Sequence, residues 1–260
     1  MYEALSIAAS GLTNQQRRLD TIAHNVANAN TASYKSVRLD FKDALYTAGI
    51  TPGPARTPAP EGNQQKGHGL MIAGITKNYS TGSIQTTDRP LDLTIEGEGF
   101  FELGDNDGNI VYTRNGNFTV SVEDDGTYLV NAEGLYVLDT EGTRIQIPYG
   151  TGEINIGNNG DINFMADTEI IGIVTLGIYT FRNITGLLDV GDSNYAESVA
   201  SGERRPAEGI KVWQGTLEGS NVSLAEEMTR LIRTQRAFSL ASRALTTADE
   251  MEGIANNMRR

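Results

Sequence analysis

Ser223-Leu224-Ala225-Glu226-Glu227-Met228-Thr229-Arg230-Leu231 opens the last segment of the chain, and its leucine phase runs on through Phe238 and Leu245. An apolar residue returning every seven positions is the spacing of a helix that buries one stripe against another helix. Ser223 stands where an N-cap belongs, and Glu226 three positions later completes a capping box. Glu226 and Glu227 suit the positive end of the helix dipole, and Arg259-Arg260 the negative end. At 1.5 Å per residue such a segment is a rod of roughly 50 Å. Gln235 and Ser242 stand where a second apolar row belongs, and beyond Leu245 the pattern drifts to Ala248, Met251, Ala255 and Met258. That irregularity predicts packing within a larger bundle, not a long two-stranded zipper.

The same spacing recurs at the other end of the chain, in Leu5, Leu12, Leu19 and Val26, with Ala8, Ala9, Ile22 and Ala23 on or beside that face. Ser10-Gly11 within it costs about 1 kcal/mol relative to alanine, so the isolated helix is marginal. Asn28 to Ser33 is a break of residues that hydrogen-bond their own backbone. A short amphipathic piece follows, with Val37, Phe41 and Leu45 at four-residue spacing. The residues expected to carry self-assembly are Leu5, Leu12, Leu19, Ile22, Val26, Leu224, Met228, Leu231, Phe238, Leu245 and Met251.

Between the helices, Thr51 to Pro60 holds four of the seven prolines and reads as an extended arm. From Leu70 to Trp213 short apolar runs alternate with turns, as in Leu91-Asp92-Leu93-Thr94-Ile95. Gly104 to Asn109, Arg114 to Asn117 and Glu123 to Gly126 read as hairpin connections. Ile170 to Tyr179 is the most apolar strand region and is expected to be central, with Trp213 a core aromatic. The fold class expected is α+β: terminal helices pairing as a coiled-coil-like tail domain, a central all-β domain and a Pro-rich arm. The expected boundaries are 1–45, 46–75, 76–215 and 216–260.

The net charge of −12 is unevenly spread. Thr86 to Ile170 carries 17 acids against three arginines, while residues 1–42 and 224–260 are close to neutral. Nucleic-acid and anionic-membrane partners are disfavoured, since each needs a basic face. With no cysteine, disulfides and thiol chemistry are excluded. Met1 to Gln16 shows no basic n-region followed by an apolar h-region, so no cleavable signal peptide is expected. No apolar run reaches the ~18 residues of a membrane span.

Catalytic, metal and cofactor residues are expected to be absent. His24 and His68 have no ligand or nucleophile at motif spacing, and no phosphate loop or zinc motif is present. Asp105 and Asp107 before Gly108 lack the later ligands of a calcium loop. Asp124-Asp125 sits in an expected turn tip, where solvent exposure accounts for the pair better than acid–base work.

Several stretches resemble the bacterial flagellar rod and hook protein family. Ala9-Ser10-Gly11-Leu12, Asn25 to Thr31 and Tyr34-Lys35 are similar to its N-terminal signature. Leu217 to Met228 and Gln235-Arg236-Ala237-Phe238 are similar to its C-terminal one. Arg89-Pro90-Leu91-Asp92, Gly97 to Phe101 and Tyr112 to Phe118 resemble its β-domain motifs. Tyr46 to Ile75 resembles the extra segment of distal rod members, with proximal rod and hook-type members as the alternatives.

The resemblance implies a subunit of the flagellar axial rod, polymerising helically through its terminal helices into a torque-transmitting shaft. Its implied partners are further copies of itself, other rod and hook proteins, and the flagellar type III export apparatus. Its implied location is the basal body, reached without a cleavable signal peptide. The rival class is an extracellular polysaccharide-binding or -hydrolysing domain, which would need carboxylates and aromatics gathered in a cleft.

Overall fold

The computed structural model describes residues 2–43, 46–48, 65–67, 70–167 and 169–258. It is an α+β protein with an N-terminal helix, a mostly β central part and a C-terminal helix. The residues fall into two units, one drawn from 1–27, 37–77 and 223–260, the other from 28–36 and 78–222.

In the first unit, α1 (Tyr2–Ala27) packs with α2 (Leu224–Asn257). Ser223 therefore occupies the N-cap position, and the Glu227 amide donates to its carbonyl at 2.9 Å. Val37–Asp43 is a strand, not a continuation of helical periodicity, and pairs antiparallel with Leu70–Lys77. The four-residue spacing of Val37 and Phe41 is also compatible with a strand interrupted by a bulge, and a register shift does fall between Asp40 and Phe41. Val37–Asp43 thus does not extend a helical tail. Tyr46–Ala48 and Gln65–Gly67 pair with each other. The prolines of the arm, Leu45 and His68 lie outside the described residues.

In the second unit, a ten-stranded sheet carries much of the structure, and a three-stranded antiparallel sheet, Glu153–Ile156, Asp161–Ala166 and Glu169–Thr175, joins it around one core. Period-two burial makes that core: Ile162 and Phe164 are buried while Asn163 is not. Leu93, Ile95, Phe101, Leu103, Phe118 and Val212 add to it. A second cluster is aromatic, with Phe100, Tyr112, Tyr179, Phe181 and Tyr195 in edge-to-face contacts such as Tyr112–Phe181 at 4.9 Å.

The apolar stretch Ile170 to Tyr179 is not one central strand. Glu169–Thr175 is the edge of the three-stranded sheet, with Ile170 and Ile173 exposed, and Ile178–Phe181 belongs to the large sheet. Trp213 is likewise not core: it is 42% exposed and its indole donates to Glu96. Gly104–Asn109 and Glu123–Gly126 do connect antiparallel neighbours. Arg114–Asn117 does not; Gly116 instead packs on Leu93, whose amide donates to its carbonyl at 3.0 Å. A Cβ at Gly116 would lie 1.9 Å from the Leu93 oxygen, so glycine is required there by contact.

Candidate assembly interface

Two strand pairings bring the stretch of the β unit nearest α2 in sequence against strands from its early part. Ile84–Thr86 pairs with Thr216–Glu218, and Leu93–Glu96 with Lys211–Gln214. The segment Asn28–Ser36, which directly follows α1 in the chain, is stitched beside them: the Ser33 amide donates to the Glu218 carbonyl at 2.7 Å, and the Asn221 amide to the Tyr34 carbonyl. Ser33 reaches this geometry with a φ of 55°, in the left-handed region.

At the centre of this junction is a buried charge cluster. Lys35 Nζ donates to Glu218 Oε1 at 2.6 Å and to the Ser80 carbonyl at 2.8 Å. Arg114 Nε donates to Glu218 Oε2 at 3.0 Å, and its Nη2 to the carbonyls of Ile95 and Gly97. The Gly82 amide also donates to Glu218, and Ser33 Oγ to the Arg114 carbonyl. Two cations share one carboxylate, and the carbonyls of Ser80, Ile95 and Gly97 absorb the surplus positive charge. Burial pushes the Lys35 ammonium below its ordinary pKa, partly offset by Glu218. Burial works upward on Glu218, but Arg114 and Lys35 outweigh it and hold the carboxyl below the ordinary range.

Asparagines complete both units. Asn221 accepts from the Ser36 amide and donates to the carbonyls of Asn78 and Ser80. In the first unit, Asn25 of α1 is buried, accepts from the Val37 amide at 2.9 Å and donates to the Val37 carbonyl at 2.8 Å. Its side chain thus serves the start of that strand as a neighbouring backbone would. Asn14 donates to the Leu70 carbonyl, tying α1 to the partner strand.

The stripe residues divide by exposure. On α1, Ile22 is buried and Leu12, Leu19 and Val26 are half-buried; the side chain of Leu5 is outside the described residues. On α2, Leu231, Phe238 and Leu245 are half-buried, whereas Leu224, Met228 and Met251 are exposed. Ile232 and Leu240, which periodicity alone did not single out, are exposed as well. Some buried helix positions are polar: Asn14, Asn25, Glu227 and Thr234.

Lys35, Arg114 and Glu218 were not marked by any spacing rule. Each stands inside a stretch that carried the family resemblance, and that was the available signal. Among the described residues no three or more His, Asp or Glu side chains gather as a metal site. No described helix is long and apolar enough to cross a membrane.

Comparison with known proteins agrees with an N-terminal helix, a mostly β middle and a C-terminal helix in that chain order. Three family models match: flagella basal body rod protein over residues 5–35, the flagellar hook protein FlgE/F/G D1 domain over 94–164, and flagellar basal body rod FlgEFG protein C-terminal over 214–258. The chain is 39% identical to the flagellar basal-body rod protein FlgG of Borreliella burgdorferi and 36% identical to that of Bacillus subtilis, with all of each chain covered. It is 35% identical to the FlgG of Buchnera aphidicola subsp. Schizaphis graminum, over 96% of this chain and 97% of that one. The chain belongs to the flagellar basal-body rod protein family, among its FlgG members.

Proposed function

We propose that this chain is a distal-type rod subunit that polymerises through its terminal helices into a helical, torque-transmitting shaft within the basal body. The observation that carries the reading is a row of exposed apolar side chains on α2, Leu224, Met228 and Ile232, at four-residue spacing. Leu231, Phe238 and Leu245, a different row on the same helix, are the half-buried ones. A helix with one row buried and another in water is stable in assembly with further helices. Heterologous contacts of this kind that do not close into a ring generate helical tubes.

Coiled-coil-like pairing of α1 and α2, with further copies covering the exposed row, follows from this reading. So do contacts with other rod and hook proteins, and passage through the flagellar export apparatus as an unfolded chain. Marginal helices favour both, because they order on assembly and thread easily.

The test is sedimentation velocity of the full chain at rising concentration, with electron microscopy of the pelleted material. Ile232→Asp changes an exposed position, so it should leave the circular dichroism melt unchanged while abolishing assembly. A wild-type chain that stays monomeric throughout, or an Ile232→Asp chain that assembles normally, would overturn the proposal.

A further inference from the structure

Several sheet edges among the described residues are guarded by charge or proline. Val37–Asp43 sets Arg38, Asp40 and Lys42 between its apolar residues, Thr119–Glu123 runs into Asp124-Asp125, and Arg204–Pro206 ends in a proline. Such features keep an edge from pairing with another chain. Two edges lack them. Ile170 to Thr175 and Leu70 to Thr76 hold neither a charge nor a proline. Among the described strands Glu169–Thr175 pairs only with Asp161–Ala166, and Leu70–Lys77 only with Val37–Asp43. Each therefore has a side without a described strand, and exposed aliphatic residues beside it: Ile170, Ile171 and Ile173 on one, Met71 and Ile75 on the other. A row of backbone donors and acceptors flanked by aliphatic side chains is a template for a further strand.

The two edges fit each other. Set antiparallel with Gly172 opposite Gly74, they place Ile171 opposite Ile75, Val174 opposite Ile72 and Glu169 opposite Lys77. Glycine thus meets glycine, aliphatic meets aliphatic and acid meets base, the pairings that stabilise neighbouring strands. Each strand also carries a bulge beside its glycine, since the register shifts between Asp40 and Phe41 in one ladder and between Phe164 and Met165 in the other. Both edges therefore bend at the same point of the match. Its ends are set by groups already engaged: the Thr175 carbonyl accepts from the Thr140 amide, and the Leu70 carbonyl from Asn14. The surroundings are complementary as well. Thr151 to Leu176 holds four acids and no Lys or Arg, whereas Lys77 is the one charged residue of Leu70–Lys77.

We infer that Glu169–Val174 of one copy pairs antiparallel with Ile72–Lys77 of a second copy, with Gly172 opposite Gly74. The contact joins one copy's β unit to the next copy's helical unit, and it rests on the subunit reading above. Two different edges that fit each other make a heterologous contact, which repeats from copy to copy. Either edge paired with its own kind about its glycine would set Glu169 opposite Thr175, or Lys77 opposite Met71. Those arrangements leave the charges unanswered and close as dimers.

The chain has no cysteine, so the register can be read by cross-linking. Ile171→Cys and Ile75→Cys, made on separate full-length chains and mixed, come within about 5 Å between Cα atoms in the inferred pairing, a separation that a disulfide spans. A product of twice the chain mass, formed under assembling conditions and carrying both peptides by mass spectrometry, is expected. Ile171→Cys mixed with Met71→Cys lies out of register by about 13 Å and should give none. A second measurement uses no cysteine. Ile75 is 68% exposed, so Ile75→Lys should leave the circular dichroism melt unchanged while raising the concentration for half-assembly at least tenfold.

Chains that assemble without the Ile171→Cys to Ile75→Cys product overturn the inference and leave the subunit reading standing. So does a product that joins two Ile171→Cys chains, a product with Met71→Cys of equal yield, or normal assembly of Ile75→Lys. A wild-type chain that does not assemble overturns both.

Discussion

Lys35 and Glu218, 183 positions apart in the chain, form a 2.6 Å ion pair in which each side chain is 1% exposed. The pair joins the segment that follows α1 to the strand Thr216–Glu218, shortly before α2 begins. Charge and hydrogen bonds thereby tie these two segments of the β unit to each other. Arg114 on the opposite oxygen of the same carboxylate keeps Glu218 from rotating away.

Removing the shared anion should be costly. Glu218→Ala leaves Lys35 and Arg114 buried without a counter-charge, and a loss of about 3–5 kcal/mol is expected. Lys35→Met leaves the Arg114–Glu218 pair intact and electrically balanced, so its cost should be clearly smaller. Urea unfolding of the two variants, followed by near-ultraviolet circular dichroism, checks the order; equal losses would mean that the carboxylate is not the shared element.

The same cluster should make the fold acid-sensitive. The native carboxyl of Glu218 is held below its unfolded value, so between the two the unfolded chain binds a proton that the native chain does not. Its contribution is complete above the ordinary glutamate range and is lost as pH falls through the lowered native value. Stability measured from pH 6 downward should fall more steeply for wild type than for Glu218→Gln, which lacks the titrating group.

Asn25 offers a more local test. Asn25→Ala strips the Val37 amide and carbonyl of their partners in a buried position. A loss of about 1–3 kcal/mol is expected, with faster hydrogen exchange concentrated at Val37 and its neighbours. Exchange that quickens evenly across both units would contradict that assignment.

Core and edge positions of the three-stranded sheet should respond differently. Phe164 is 1% exposed and Phe164→Ala should cost about 3–5 kcal/mol. Ile173 is 63% exposed and Ile173→Ser should stay within about 0.5 kcal/mol. The same urea midpoints that rank these two would reveal a slipped register, since a one-residue slip exchanges the faces.

Gly11 lies within α1 with open space around a Cβ position. Gly11→Ala should therefore raise stability by about 0.5–1 kcal/mol, read from thermal melting of the monomer. If a neighbouring copy packs closely over this position, the same substitution should hinder assembly even as it stabilises the subunit.

The sequence by itself determined the helices and the class of the middle. Helical hydrogen bonds close within four residues, so the Leu12–Leu19–Val26 and Leu224–Leu231–Phe238 spacing carries nearly all the information needed. The acidic, glycine-rich middle is likewise legible as strands and turns, with the Gly104–Asn109 and Glu123–Gly126 connections in place.

What only the tertiary structure decided is everything that depends on a distant partner. Val37–Asp43 is a strand because Leu70–Lys77 returns to pair with it, and Glu169–Thr175 is an edge because no described strand pairs with its far side. Lys35, Arg114 and Glu218 are unremarkable in local sequence, and become a buried cluster only when strand pairings close loops of 81 to 185 residues around them. Strand partners and buried ion pairs are chosen by long-range geometry, to which local periodicity is blind.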